Sequence, residues 1–468
     1  MTHRETTGDG LAPQLGLFDT TLLVMGGIVG AGIFFTPARV ASLEPSSGGV
    51  LLTWAIGGAL ALSGAATFAG LAALLPRTGG QYACLHAAFG RRLSFVYGFN
   101  LLTVVASGSA ALVAGVCVWH LETVLRGLGW SESMGSHEKA VAGSLLIAGF
   151  AALNARGVRL GARFHTVIMV AKVAGIVAVT GLAFVANPLP ESRATVDGNA
   201  MAGFSLGNLA PAVLTALFAY GGWQNAFAIA GEVRDAARRL PIALVLGTSA
   251  VVALYLCLNG SLLAVLGPEA LGRSQTAVAE AARRALDPYG AEWARAGEVV
   301  VAGIVVVSTI GITHGLTLMT PRVYYAMARD GLLFAPLGVP HPLYKTPHRA
   351  ILLQSALAIG YFLLSTYEIF GLDLDAILRS VTFVDWTFFA LVAAAYFVLR
   401  RKAQARGETP RSVFHPWAPI VFLTLSLGVV VAAALNVEPR MLLVPASMIA
   451  MGVALSFCFH RPLPQAEP

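Results

Sequence analysis

Two glycine clusters interrupt long apolar runs: GGIVGAGIF (Gly26 to Phe34) and FAYGGW (Phe218 to Trp223). In an exposed helix interior each glycine costs about 1 kcal/mol relative to Ala, and the first cluster places Gly26, Gly27, Gly30 and Gly32 within one short stretch. A chain that unwinds there offers free N–H groups at the N-terminus of the resumed helix, which suit a carboxylate. It also offers free C=O groups, which suit an ammonium. One small zwitterion satisfies both, so a ligand of the α-amino-acid type, held mainly by backbone atoms, fits this chemistry.

Ionisable side chains inside apolar runs are the second signal, because a charge at bilayer depth costs about 2.5–3.5 kcal/mol on insertion scales and marks a functional position by default. Lys172 and Asp385 (in FVDWTFF) are such residues. Lys172 lies close enough to the start of its run for snorkelling to one face to compete with a buried role. Asp385 fits three roles: binding a substrate cation, relaying protons, or pairing with a helix N-terminus. His314 reads first as a buried neutral imidazole and second as a switch. Glu232, beside an Arg-rich link, reads equally as a gating ion-pair partner and as a solvated end charge.

Enzymatic and metal chemistry finds no such support. GFSLG (Gly203 to Gly207) matches a nucleophile elbow, but the polar stretch before it is not a strand. SHEKAV (Ser136 to Val141) begins like a zinc-protease helix and lacks the second His. Gly27, Gly30 and Gly32 do not follow a βαβ unit, so no dinucleotide site is implied. Cys84, Cys117, Cys257 and Cys458 are far apart in apolar segments, without metal spacing. No catalytic residue, metal or cofactor is expected.

The elements that must position these residues are membrane helices. Of 468 residues 56% are hydrophobic and 12% charged, half the charge of a soluble domain at about 25%; the mean hydropathy is +0.73. A run of about 20 apolar residues spans a bilayer. Such runs fall at 17–42, 50–75, 94–118, 139–155, 166–187, 207–231, 241–266, 296–328, 349–367, 374–399, 414–436 and 440–459, giving an all-α membrane protein of about twelve spans. The stretch 267–295 has amphipathic spacing and is expected outside the membrane or re-entrant. The polar N-terminus lacks the layout of a cleaved signal peptide, so the first span is expected to stay.

The formal charge of +7 sits mostly in short links, which points to membrane topology and not to nucleic acid. Of the 31 Lys and Arg, 20 fall in links on the N-terminal side, 10 on the other, and Lys172 lies within span 5. Both termini are therefore expected in the cytoplasm. Residues 1–16 read as the N-terminal tail, 17–400 as a ten-helix core, 401–460 as two additional helices and 461–468 as the C-terminal tail. The two glycine clusters lie in spans 1 and 6, which two five-helix repeats place at equivalent positions, a pattern that points to a transporter binding site.

Several motifs carry a family resemblance over about residues 16–400. They are GIVGAGIFFTP (Gly27 to Pro37), LPRTGGQYACL (Leu75 to Leu85), ALFAYGGWQNAFAIAGEVRDAARRLP (Ala216 to Pro241), Asn154 with Lys172, and MTPRVYYAMARDGLLF (Met319 to Phe334). Together and in this order the chain resembles the L-type amino-acid transporter branch of the amino acid–polyamine–organocation superfamily, with a LeuT-like fold. The resemblance implies a 5+5 inverted repeat with discontinuous spans 1 and 6, and sodium-independent exchange or proton symport of neutral L-amino acids across a bacterial inner membrane. Cationic amino acids or polyamines are the alternative; a channel or receptor is the rival of another class.

By the same resemblance Ile28, Gly30, Ala31, Gly32, Phe218, Ala219 and Gly221 contact substrate, and Phe218 gates the site. Ala31 stands where the family often has Ser, which removes a hydroxyl contact. Lys172 takes the place of a sodium ion, its ammonium meeting span 1 carbonyls and Ser308 or Thr309. His314 stands where the family often keeps Asn. Heteromeric relatives bind an ancillary glycoprotein through a cysteine between spans 3 and 4; Trp119 to Glu138 holds none, so no disulfide-linked partner is expected.

Overall fold

The computed structural model describes residues 16–30, 32–75, 80–130, 133–156, 172–178, 180–182, 200–224, 227, 233–344, 346–408, 415–436 and 439–458. Among them every element is a helix. In hydrocarbon each backbone polar group needs an internal partner, and a helix supplies one within the segment. In chain order the elements are α1 (Leu17–Ile28), α2 (Gly32–Leu43), α3 (Ser47–Leu74), α4 (Gly80–Phe89), α5 (Arg91–Gly127), α6 (Ser136–Ala155), α7 (Lys172–Leu182) and α8 (Leu206–Ala219). They continue with α9 (Ala236–Arg273), α10 (Ala277–Leu286), α11 (Ala291–Met319), α12 (Pro321–Arg329), α13 (His348–Thr366), α14 (Leu374–Ala405), α15 (Trp417–Asn436) and α16 (Pro439–Cys458).

Six helical stretches are long and apolar enough to cross a bilayer: α3, α5, α9, α11 with α12, α13 and α14. The bent pair α1 and α2 makes a seventh, and shorter apolar helices fall in α7, α8, α15 and α16. Each apolar run expected from the sequence carries helix in its described part. Large apolar side chains face outward, among them Leu145 at 66% exposed, Leu435 at 78% and Leu443 at 66%, as lipid contact requires and water would not favour. The protein is a multi-pass membrane protein.

Three departures from regular helix matter for the site. The α1–α2 pair bends by 44° at Val29 and Gly30. α8 stops at Ala219, and the chain turns through Tyr220 to Gln224. α5 carries a π-helical turn at Leu101–Ala106, a feature frequent at functional sites. Its wider turn lets the Ser107 hydroxyl donate to the carbonyl of Leu102, 2.6 Å away.

The stretch 267–295 breaks α9 at Gly267 (φ 73°) and then forms α10, which buries Ala277, Val278, Ala281 and Ala285 on one face. This is the amphipathic helix expected there. All four cysteines are free; Cys84 and Cys117 are buried, Cys257 and Cys458 exposed. Residues 200–203, just before and into GFSLG, form a turn, and Leu206 starts α8 directly.

Candidate functional site

The two glycine clusters meet. A Cβ on Gly222 would lie 1.9 Å from the carbonyl oxygen of Gly27, and Gly222 has φ +111°, a backbone conformation that side chains exclude. Five residues further along span 1, past the break, a Cβ on Gly32 would lie 2.6 Å from the Cα of Ala219. The unwound segments of spans 1 and 6 thus cross backbone to backbone. Trp223, beside the crossing, is 1% exposed and anchors it, stacking on Phe389 (5.3 Å) and edge-on to Phe68 (4.6 Å).

A cavity of about 190 Å³ opens beside this crossing. Ile28, Gly30, Gly32, Phe218 and Gly221 line it, and so do Leu101, Val105 and Ala106 of the π-helical turn. Ala219 lies behind the lining, with its Cα against Gly32. Ala31 and Glu232 lie outside the described residues.

Lys172 is 2% exposed, and its ammonium donates to the carbonyl of Val29 at the break in span 1, 3.5 Å away. It is turned inward and does not snorkel. The neighbouring hydroxyls behave differently from each other. Thr309 donates to carbonyls of its own helix, Val305 at 2.9 Å and Val306 at 2.8 Å, and Ser308 Oγ is buried without a partner. Neither bonds to Lys172 in this conformation. His314 is 4% exposed, its Nδ1 has no partner, and its ring lies 5.8 Å from Phe150, away from the cavity lining. Asn154 holds that region together, donating to the carbonyl of His314 (3.2 Å) and to the Thr317 hydroxyl (2.6 Å). Asp385 does line the cavity, and among the described residues no other charged side chain does.

Sequence reasoning passed over three residues. The Tyr255 hydroxyl, on α9, reaches the carbonyls of Ile28 (3.1 Å) and Ala219 (3.3 Å), one from each unwound segment. Gln224 accepts a hydrogen bond from the Gly222 N–H at 2.8 Å and so caps the span 6 turn. Gln81, at the start of α4, lines the cavity. Tyr255 sits in an apolar run like any packing aromatic, and nothing in its spacing marks it. Gln224 and Gln81 stand within motifs already singled out, as the polar residues next to a glycine pair.

Broken helices crossing at a central cavity, with a lysine on the broken backbone, are the geometry of a carrier. The amino acid permease family model matches residues 15–458. The chain belongs to that family. Similar proteins include the serine/threonine exchanger SteT of Bacillus subtilis, 29% identical over 427 residues, spanning 91% of this chain and 92% of the relative. The mouse b(0,+)-type amino acid transporter 1 is 28% identical over 446 residues, spanning 94% of this chain and 85% of the relative. Its human counterpart is 28% identical over 440 residues, spanning 93% and 85%. The chain is accordingly a transporter of the amino acid–polyamine–organocation superfamily and not an enzyme, and its substrates are small amino-acid molecules.

Proposed function

We propose that this permease is a secondary active transporter of neutral L-amino acids that works by alternating access and without sodium, by exchange or proton symport. The observation that carries the reading is the crossing of Gly27 and Gly222 beside a cavity, because it puts backbone from spans 1 and 6 on one substrate-sized space. The N-terminus of α2 at Gly32 suits a carboxylate, and Phe218 stands at the lining as the gate. Lys172 supplies a fixed positive charge at the broken carbonyls, where a coupling cation would otherwise bind. The exchange reading draws on the name of the Bacillus relative, a serine/threonine exchanger.

The same proposal includes about twelve spans, a LeuT-like 5+5 inverted repeat over residues 17–400, two added helices over 401–460, and both terminal tails (1–16 and 461–468) in the cytoplasm of a bacterial inner membrane. It also includes transport by the single chain, since the loop between α5 and α6 bears no cysteine. Cationic amino acids or polyamines form the second reading, favoured by the Asp385 carboxylate on the cavity wall. Competition by unlabelled amino acids and polyamines for labelled uptake into proteoliposomes ranks these classes. Saturable uptake inhibited best by neutral L-amino acids supports the first reading. Inhibition only by cationic compounds replaces it with the second, and a non-saturable ion conductance replaces both with a channel.

A further inference from the structure

Four helix ends converge at one end of the bundle and bring positive charge together. α4 ends at Phe89, Gly90 (φ +83°) turns the chain, and α5 starts at Arg91. The Lys402 ammonium, near the end of α14, donates to the last carbonyls of α4, Ala87 at 2.7 Å and Ala88 at 3.4 Å. Ala88 stands just before the Gly90 turn, so Lys402 joins Arg91 and Arg92 at this corner. α16 runs antiparallel to α5 and lies against it where a Cβ on Gly452 would meet Asn100 at 3.0 Å. At the end of that contact the Arg92 guanidinium lies over the Phe457 ring, 4.9 Å from its centroid.

The charge at the corner is not balanced. Residues 80–97 and 396–408 carry Arg91, Arg92, Arg400, Arg401, Lys402 and Arg406 against a single acid, Glu408. Asp330 reaches the corner from the end of α12, but its Oδ2 accepts from the Tyr82 hydroxyl at 2.7 Å and its carbonyl accepts from Arg91 at 3.1 Å. Arg92, Lys402 and Arg406 are exposed, and none of them forms an ion pair with a described residue. Lys402 spends two of its three donors on α4. Arg406, one helical turn on, shares its helix face.

A charge that only sets topology needs no fixed position. Here Lys402 is held by two carbonyls and Arg92 by an aromatic face. Phe457 is 60% exposed, and the same helix exposes Leu443, Val444, Met451 and Val453 along its length. The corner therefore presents fixed cations at one end of an exposed apolar helix, which matches the two parts of an anionic lipid.

We propose that the corner of α4, α5, α14 and α16 binds an anionic phospholipid, with its phosphate on Arg92, Lys402 and Arg406 and its acyl chains along α16. Basic pockets between membrane helices hold anionic headgroups in this way. A phosphatidylcholine headgroup brings its own ammonium to the same cations, which repel it. Lys402 also clamps the far end of α4, whose first residues Gly80 and Gln81 line the cavity. The lipid therefore sits on a contact that holds the cavity wall. Its binding does not depend on which substrate the protein carries.

Native mass spectrometry of the purified, delipidated full chain tests this with phosphatidylglycerol and phosphatidylcholine of matched acyl chains. Wild type should retain phosphatidylglycerol in preference to phosphatidylcholine. The preference should fall about fivefold in Arg92→Gln, the share of one cation at an anionic headgroup, and further in the double variant Arg92→Gln with Lys402→Gln. Arg126→Gln, at the exposed opposite end of α5, removes the same charge and should bind as wild type does. Equal retention of the two lipids by wild type overturns the proposal. So does an unchanged preference in Arg92→Gln, or an equal loss in Arg126→Gln. If the double variant does not elute as a folded species, Arg92→Gln alone decides, since that side chain is exposed. Glycerol phosphate, which lacks acyl chains, should not displace the lipid; displacement would assign a site for a soluble phosphate and overturn the lipid reading.

Discussion

Replacing Tyr255 by Phe removes one hydroxyl and leaves the ring where it packs, edge-on to Trp54 at 5.8 Å and 5.2 Å from Tyr220. The hydroxyl has one proton shared between two carbonyls, Ile28 at 3.1 Å and Ala219 at 3.3 Å, so the change removes the equivalent of one hydrogen bond and exposes two buried acceptors. A typical bond contributes about 0.5–1.5 kcal/mol and an unpaired buried acceptor costs about 1–3 kcal/mol. The loss is therefore roughly 1–3 kcal/mol, or about 5- to 150-fold in an equilibrium that depends on it. Because Tyr255 ties the unwound segment of span 1 to that of span 6, the loss falls on their relative placement around the cavity. The half-saturation concentration for uptake into proteoliposomes should rise about fivefold or more, while the melting temperature stays near wild type. Wild-type half-saturation and rate in Tyr255→Phe would refute this role.

Other perturbations separate the remaining parts. Gly222→Ala should abolish transport and lower yield, since its Cβ meets the Gly27 carbonyl at 1.9 Å; normal uptake by this variant would show that the crossing is not required. Phe218→Ala should slow transport much more than it weakens binding, because a lid closes the cavity without making most of the contacts; equal losses in rate and affinity count against the gate. Lys172→Ala should express and fold but lose most transport, because the broken span 1 backbone loses its cation; full activity in Lys172→Ala ends the coupling assignment.

How much of this was legible from sequence depends on the kind of signal. The breaks at Val29–Gly30 and Tyr220–Gln224 were readable because glycine is the residue type that both weakens a helix and fits a backbone crossing. That the two breaks touch was not readable, since it depends on the approach of Gly27 to Gly222, 195 residues apart in the chain. Lys172 was readable as an odd charge, but its direction was not: spacing allowed snorkelling, and the structure turns its ammonium onto Val29. Asp385 was readable as a charge in span 10, while its cavity position comes only from packing. Tyr255 and Gln81 were missed because a tyrosine in an apolar helix and a glutamine at a helix start are common in any membrane protein. His314 illustrates the reverse, a residue conspicuous in sequence that the fold places beside Phe150 and away from the cavity lining.

The most direct test of the transport mechanism is uptake of labelled L-amino acids by the purified single chain in sealed vesicles, with choline in place of sodium, both with and without unlabelled substrate inside. Saturable uptake that persists in choline is the predicted result; uptake only into preloaded vesicles assigns exchange, and accumulation in empty vesicles driven by an inward proton gradient assigns symport. Uptake that requires sodium would contradict the placement of Lys172 as the resident cation, and no uptake unless a second membrane protein is added would contradict transport by the single chain.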